Sequence, residues 1–403
     1  MIGNSLAAKC RITTRIVLAA GITGSVGVIS NPAIAAPPTF TFTKIAATGT
    51  TDPSGKTFGS FDDPVVSGTT VAFRGFDTTG VGIGVYTGAG GAVSKIADQK
   101  STDPSSGKFT NFGTVSIAGN TVEFTGTYSA SGYQYTDQGL YSGTGGTLTK
   151  LVDVKTTVPG STAKFTDFQG SLTGSQFAFL GTSSLGSYIY GLLNGTITTL
   201  VNNTTADPSG GKFTGLMYVS SDVNNNILFQ GYCSTTAITG IYEKSGSAIS
   251  KIVDTKTVDP SGGGNFFGFG APVFAGANVA FLAVNNGITA KGVYEKVGSQ
   301  VIILADTSTP DPLGGTFGYL SDPAASADGV TFLGLDQSEQ NPCLMTTIGG
   351  ALSPVITTGT TLGGKKISNI TLSQRGMDGY NIAFHAYFTD GTEAIYLAVC
   401  TSP

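Results

Sequence analysis

The sequence predicts an all-β fold, a seven-bladed β-propeller of four-stranded antiparallel blades. Three observations carry that expectation. An apolar-x-Phe triplet recurs seven times, with its phenylalanines at Phe73, Phe124, Phe179, Phe229, Phe281, Phe332 and Phe384, 50 to 55 residues apart. Around each triplet, apolar and polar residues alternate with the period of two expected of a strand. The two ends are complementary: the last unit stops at a third strand, Ala394–Ala398, and an orphan fourth strand, Phe40–Ala46, stands near the start. Four short strands in a unit of about 50 residues match a propeller blade, and the orphan strand would complete the last blade and close the ring.

The elements follow in chain order. Residues 1–35 carry Lys9, Arg11 and Arg15, then the apolar run Ile16–Ile29, then Ala33-Ile34-Ala35. A basic start, an apolar run and a small-x-small site read as a secretory signal peptide, with Ala36 as the mature start. The run is shorter than the ~20 residues that cross a bilayer, so no membrane span is expected in the mature chain. Residues 36–403 then read as one propeller domain of seven repeats. Their bounds are about 44–94, 95–149, 150–198, 199–250, 251–302, 303–353 and 354–403, the last completed by strand 40–46.

Within a unit, the first strand follows an aromatic pair spaced i, i+3, such as Phe58 and Phe61, and runs through Pro64-Val65-Val66-Ser67. A tight turn at Ser67-Gly68-Thr69 leads to the second strand and its Phe triplet. The third strand carries a Gly-apolar-Tyr type triplet ending at Tyr86, Tyr141, Tyr190, Tyr242 and Tyr294; Met345 and Tyr396 hold that place in the last two units. A Gly-rich hairpin, as at Gly90-Gly91, leads to the fourth strand, Lys95-Ile96-Ala97-Asp98. The triplet phenylalanines are expected in the core between blades, each stabilising the fold by ~1.5–3 kcal/mol on burial.

Composition agrees. Of 403 residues 59 are Gly, 11% are charged and 40% are apolar, which fits short strands joined by tight turns. Loss of the leader removes three basic residues and no acid, moving the net charge from −4 to −7. Such a surface repels phosphate backbones, so nucleic acid is not an expected partner. Cys233, Cys343 and Cys400 remain, an odd number that leaves at least one thiol unpaired within the chain, and the lack of a CxxC or Cys/His cluster argues against a zinc site, so the fold is not expected to depend on a disulfide framework.

Units of the form KIADxxTxDPSGGxFxxF…VAFxG…GIYxGxGGxLxKI resemble a group of secreted bacterial tandem-repeat proteins read as β-propellers. The resemblance covers residues 40–403. It implies the architecture and a cell-exterior setting, secreted or periplasmic, and no general activity. Unit three departs at Val158-Pro159 and unit seven at Thr361-Leu362, so the acid at that place is not required for a blade.

The blade-to-blade connections carry paired acids: Asp98/Asp103, Asp254/Asp259 and Asp306/Asp311. Asp-Pro-Ser-Gly is turn chemistry, with Asp accepting from backbone amides ahead of it, Pro fixing φ and Gly permitting positive φ. The competing expectation is a Ca²⁺ site in some blades, because two carboxylates with loop oxygens supply part of a calcium shell. No other cofactor is expected.

Binding residues are expected where loops between second and third strands share a face with the blade-to-blade loops. The longest such loop, Gly126–Asp137, holds Tyr128, Tyr133, Tyr135 and Asp137, residues that stack on sugar rings and hydrogen-bond hydroxyls. Arg74, Asp77, Tyr232, Lys291, Asp336, Glu339 and His385 are further candidates at that face. No GxSxG, HExxH or P-loop occurs, and His385 is the only His, so a catalytic assignment is empty. The expectation is a non-catalytic module binding glycans or proteins at the cell exterior. The alternatives are a structural matrix protein, or a glycan-active hydrolase or lyase. Converging carboxylates in a pocket on the ring's axis would favour the enzyme; a Tyr-rich groove would favour the binding module.

Overall fold

A computed structural model describes residues 36–104, 107–129, 137–172, 177–285 and 291–403. The leader, residues 1–35, lies outside the described residues. Residues Pro37–Pro403 form one compact unit. It is a ring of seven antiparallel sheets, and in the first six the strands follow chain order from the axis outward. In blade 1 the strands are Phe58–Phe61 continued by Val65–Ser67, then Thr70–Asp77, Ile83–Gly88 and Ser94–Asp98. Blade 7 holds Lys365–Thr371 continued by Met377–Asp378, then Asn381–Phe388 and Glu393–Ser402, and its outer strand is Thr39–Ala47 from the other end of the chain.

The ring closes as expected, and the register shows why. In blade 1, Val85 pairs with Ala97 and Tyr86 with Lys95, so Ile96 is an extra residue bulged out of the ladder. The same shift precedes the Tyr or Met of blades 2 to 6. In blade 7, Ile395 pairs with Ala46 and Tyr396 with Lys44, leaving Ile45 bulged. The first strand therefore repeats the Lys95-Ile96-Ala97 pattern of the blade 1 fourth strand down to its bulge. A bulge adds local twist and re-aims side chains, here turning each tyrosine toward the incoming blade-to-blade turn.

A second bulge explains the aromatic pairs. Residues i and i+3 of a regular strand point to opposite faces. The shift between Phe58 and Ser60 restores one face, and the Phe58 and Phe61 rings lie 5.1 Å apart. The pairs in blades 2, 3 and 5 repeat this.

The core lies between blades, not within them. Phe73 packs with Phe58 and Phe61 of its own blade and with Ala383, Ile395 and Leu397 of blade 7. All seven triplet phenylalanines are buried. Two glycines are demanded by this packing. A Cβ on Gly75 would lie 2.6 Å from the Phe58 ring, and a Cβ on Gly84 would lie 2.6 Å from the Tyr86 hydroxyl. Cys233, Cys343 and Cys400 are free and buried. Among the described residues no helix is long and apolar enough to cross a membrane.

Candidate functional site

The recurring acids are built into turns. Asp52 Oδ1 accepts from the amides of Ser54 (2.9 Å) and Lys56 (2.7 Å), and its Oδ2 accepts from the Tyr86 hydroxyl (2.8 Å). Asp98 accepts from the amides of Lys100 and Ser101, and from Ser54 Oγ (2.6 Å) and Lys95 Nζ (3.0 Å). Asp254 repeats this with Lys256, Ser209 Oγ and Lys251. Asp259 accepts from the Ser261 amide and the Tyr294 hydroxyl, and Asp306 from Ser308 and Thr309. Asp311 accepts from the Leu313 amide and the Cys343 thiol. Asp103 is buried at the same place in the connection after blade 1. The hydrogen bonds thus tie Asp98 to the turn that opens its own blade, through Ser54. Among the described residues no three His, Cys, Asp or Glu side chains gather as a metal-holding group.

The predicted loop residues disperse. Tyr133 and Tyr135 lie outside the described residues. Tyr128 is fully buried in the core between blades 1 and 2, with Lys155 Nζ 5.2 Å from its ring centre, because its strand runs on to Ser129 where a loop was expected. Asp137 pairs with Lys155 at 3.1 Å. Asp77 is buried and pairs with Lys56, which holds its carboxyl well below the usual range. Asp336 closes its own loop through Ser338, Gln340 and Asn341, next to Glu339 at φ 57°. Lys291 Nζ lies 3.9 Å from the Tyr319 ring centre, and Tyr232 is partly exposed on blade 4.

Arg74 and His385 instead stand beside the neighbouring acids Asp62 and Asp63. Pro64 brings no N–H to the inner strand of blade 1, and the strand breaks over Asp62-Asp63-Pro64. Asp62 keeps one backbone bond, to the Arg74 carbonyl (3.1 Å), and the side chains of Asp62 and Asp63 are 39% and 41% exposed. They line a cavity of about 680 Å³ shared by blades 7, 1 and 2, with Arg74, Thr114, Thr371 and Tyr387 among its walls. Arg74 bridges two blades: its guanidinium pairs with Asp62 and donates to the Phe112 carbonyl of blade 2. Gln230 makes the same reach from blade 4 to the Phe269 carbonyl of blade 5, at 2.9 Å. Asp63 accepts from the Thr371 hydroxyl of blade 7.

Behind Asp63 stands His385, wholly buried. Its Nδ1 faces Asp63 Oδ1 at 3.9 Å, its Nε2 lies 3.2 Å from Glu393 Oε2, and its ring packs 4.2 Å from Tyr387. Burial pushes the imidazole pKa down to about 4 and raises the carboxyl pKa values of Asp63 and Glu393.

Two further axial features were missed in the sequence. From Ile370 to Ile382 blade 7 has two residues more than blade 1 has from Phe61 to Val71. The added length carries Gln374-Arg375 across the axis. Gln374 donates to the Ala271 carbonyl of blade 5 (2.8 Å), and the Arg375 carbonyl accepts from Val66 of blade 1 (3.1 Å). A second cavity of about 480 Å³ lies beyond it, lined by the tight turns of the opposite face. Beside the crossing, Tyr218 sits at φ 53°, rare for an aromatic residue, and is 46% exposed. Unequal spacing of the inner strands was the available signal for both.

No family model matches the chain, and no curated protein matches it. Solved structures do. One structure from an analysis of two prolyl endopeptidases is 12% identical over 86% of this chain and 51% of its own, with a TM-score of 0.50. An acylaminoacyl peptidase from Pyrococcus horikoshii is 11% identical over 82% of this chain and 51% of its own, also at 0.50. The β-propeller domain of the trilobed protease from Pyrococcus furiosus is 11% identical over 74% of this chain and 96% of its own, at 0.39. This chain spans about half the length of the two peptidases, and likeness at such identity shows the fold alone.

Proposed function

We propose that the chain is a non-catalytic binding module at the cell exterior that recognises glycans in the axial cavity of blades 7, 1 and 2. The observation that carries this is a cavity of about 680 Å³ whose walls combine carboxylates, hydroxyls and the Tyr387 ring. Ligand pockets span ~300–1,000 Å³ and place a few polar groups against an apolar body. A sugar offers hydroxyls to Asp63 and Thr371 and a C–H face to Tyr387.

One observation favours a second reading, a glycan hydrolase. Carboxylates do converge on the axis, and Asp63 is backed by His385 and Glu393. Against it, Asp62 is held by Arg74, and His385 has no exposed surface. Binding therefore ranks first.

The test is calorimetry of the purified chain against a panel of oligosaccharides, with and without Ca²⁺, with product analysis after long incubation. Saturable binding weakened by Tyr387→Ala, with the sugar recovered intact, supports the module. Cleaved product lost in Asp63→Asn moves the assignment to the hydrolase. Calcium-dependent binding would make the paired acids metal ligands. No binding would leave a structural role, or a protein partner in place of a glycan.

A further inference from the structure

We infer that the axial cavity selects ligands bearing an ammonium group, so that its glycans are amino sugars with a free amine. This rests on the glycan reading above and deepens it. The walls carry two carboxylates, Asp62 and Asp63, with Glu393 close behind. Arg74, the one cation among the described residues that line this cavity, is already paired: one branch of its guanidinium meets Asp62 and another donates to the Phe112 carbonyl. A ligand carboxylate or sulfate therefore meets a cation whose charge is already offset by Asp62, and faces the Asp63 carboxylate beside it. The neighbouring ring does not supply the missing charge. His385 is wholly buried, neither ring nitrogen makes a hydrogen bond of good geometry, and burial keeps the imidazole neutral near pH 7.

Asp63 thus keeps one hydroxyl donor, from Thr371, and no charged cationic partner among the described residues. A partly desolvated carboxylate in that state is stabilised by an opposite charge brought from outside. A compact ammonium supplies three donors to the acids and leaves the sugar ring free to lie on Tyr387. The whole chain agrees in sign, with a net charge of −4 that draws cations rather than anions toward its clefts.

The experiment is calorimetry at low salt with three probes of equal length: a glucosamine oligosaccharide, its N-acetylated counterpart and a uronate oligosaccharide. The expected order is the free amine first by at least tenfold, then the acetylated form, with no uronate binding. Asp63→Asn lowers the affinity for the free amine at least tenfold more than it lowers the affinity for the acetylated form. Asp63→Glu, which keeps the charge, restores the preference and separates charge from folding. Amine affinity falls as the pH drops from 7 to 4 and Asp63 takes up a proton. The groups facing it are Asp62 and Arg74 from blade 1 and His385, Tyr387 and Glu393 from blade 7. Equal binding of amine and acetylated probes, or stronger uronate binding, overturns the inference and leaves the glycan reading standing. Binding of none of the three, with another glycan of the panel bound, does the same. No binding of any glycan removes both.

Discussion

The Tyr86 hydroxyl donates to Asp52 Oδ2 at 2.8 Å, tying the third strand of blade 1 to the turn that opens the blade. Tyr294 and Asp259 repeat the pair at 3.0 Å in blade 5. Blade 6 shows how the unit tolerates its loss. Met345 stands in place of the tyrosine and Cys343 in place of the glycine two residues before, and the Cys343 thiol reaches Asp311. The glycine makes room for the hydroxyl; without the hydroxyl a side chain fits there.

Gly84→Ala should therefore destabilise the chain by about 1–3 kcal/mol, the usual cost of overpacking. Gly84→Cys combined with Tyr86→Met should cost less than the sum of the single changes. A double-mutant cycle by urea unfolding reads the coupling, and strict additivity would refute the compensation.

Tyr190 tests the same pair by its absence. In blade 3 the acid is replaced by Val158, and the buried Tyr190 hydroxyl has no hydrogen-bond partner among the described residues. Tyr190→Phe should be neutral or stabilising. Tyr86→Phe and Tyr294→Phe should each cost about 1 kcal/mol, the typical net worth of a hydrogen bond. Equal losses in all three melts would contradict this account.

Ring closure rests on Thr39–Ala47 pairing with Glu393–Ser402. A chain lacking residues 1–47 leaves the blade 7 edge unpaired and the Phe384 side of the core open. Its melting temperature should fall by more than about 5 °C relative to a chain lacking only residues 1–35. Light scattering should show self-association through the bare edge. An unchanged melt would mean that the closure contributes nothing.

Glu123 gives a pH dependence of defined sign. It is buried at the place where blade 1 has Ala72, accepts from Ser116 Oγ at 2.8 Å, and burial pushes its pKa up to about 8 from 4.5. Arg375 is the charge that opposes this rise. The folded state thus holds more protons than the unfolded state between about pH 4.5 and 8. Stability from this group is full at acid pH and is lost as the pH rises through that window. Glu123→Gln, always neutral, should gain about 1–3 kcal/mol over the parent at pH 8 and nearly nothing at pH 4.5. A gain independent of pH would sink the explanation.

Repetition determined the architecture from sequence alone. The Phe triplets, the Gly-x-Tyr triplets and the orphan Lys44-Ile45-Ala46 strand are local patterns, and each repeats what one blade needs to pack on the next. Short-range alternation and seven units of nearly equal length leave few other folds open. Arg74 and His385 were legible as candidates, and the rest of the site escaped because it is made of departures from the repeat. Asp63 and Thr371 are 308 residues apart and meet only because the ring closes blade 7 on blade 1. Pro64 breaks one strand, two added residues carry Gln374-Arg375 over the axis, and His385 turns inward beside Glu393. Strand periodicity says which face a residue takes. Which charges then share a cavity is decided by the circle that brings the two ends of the chain together.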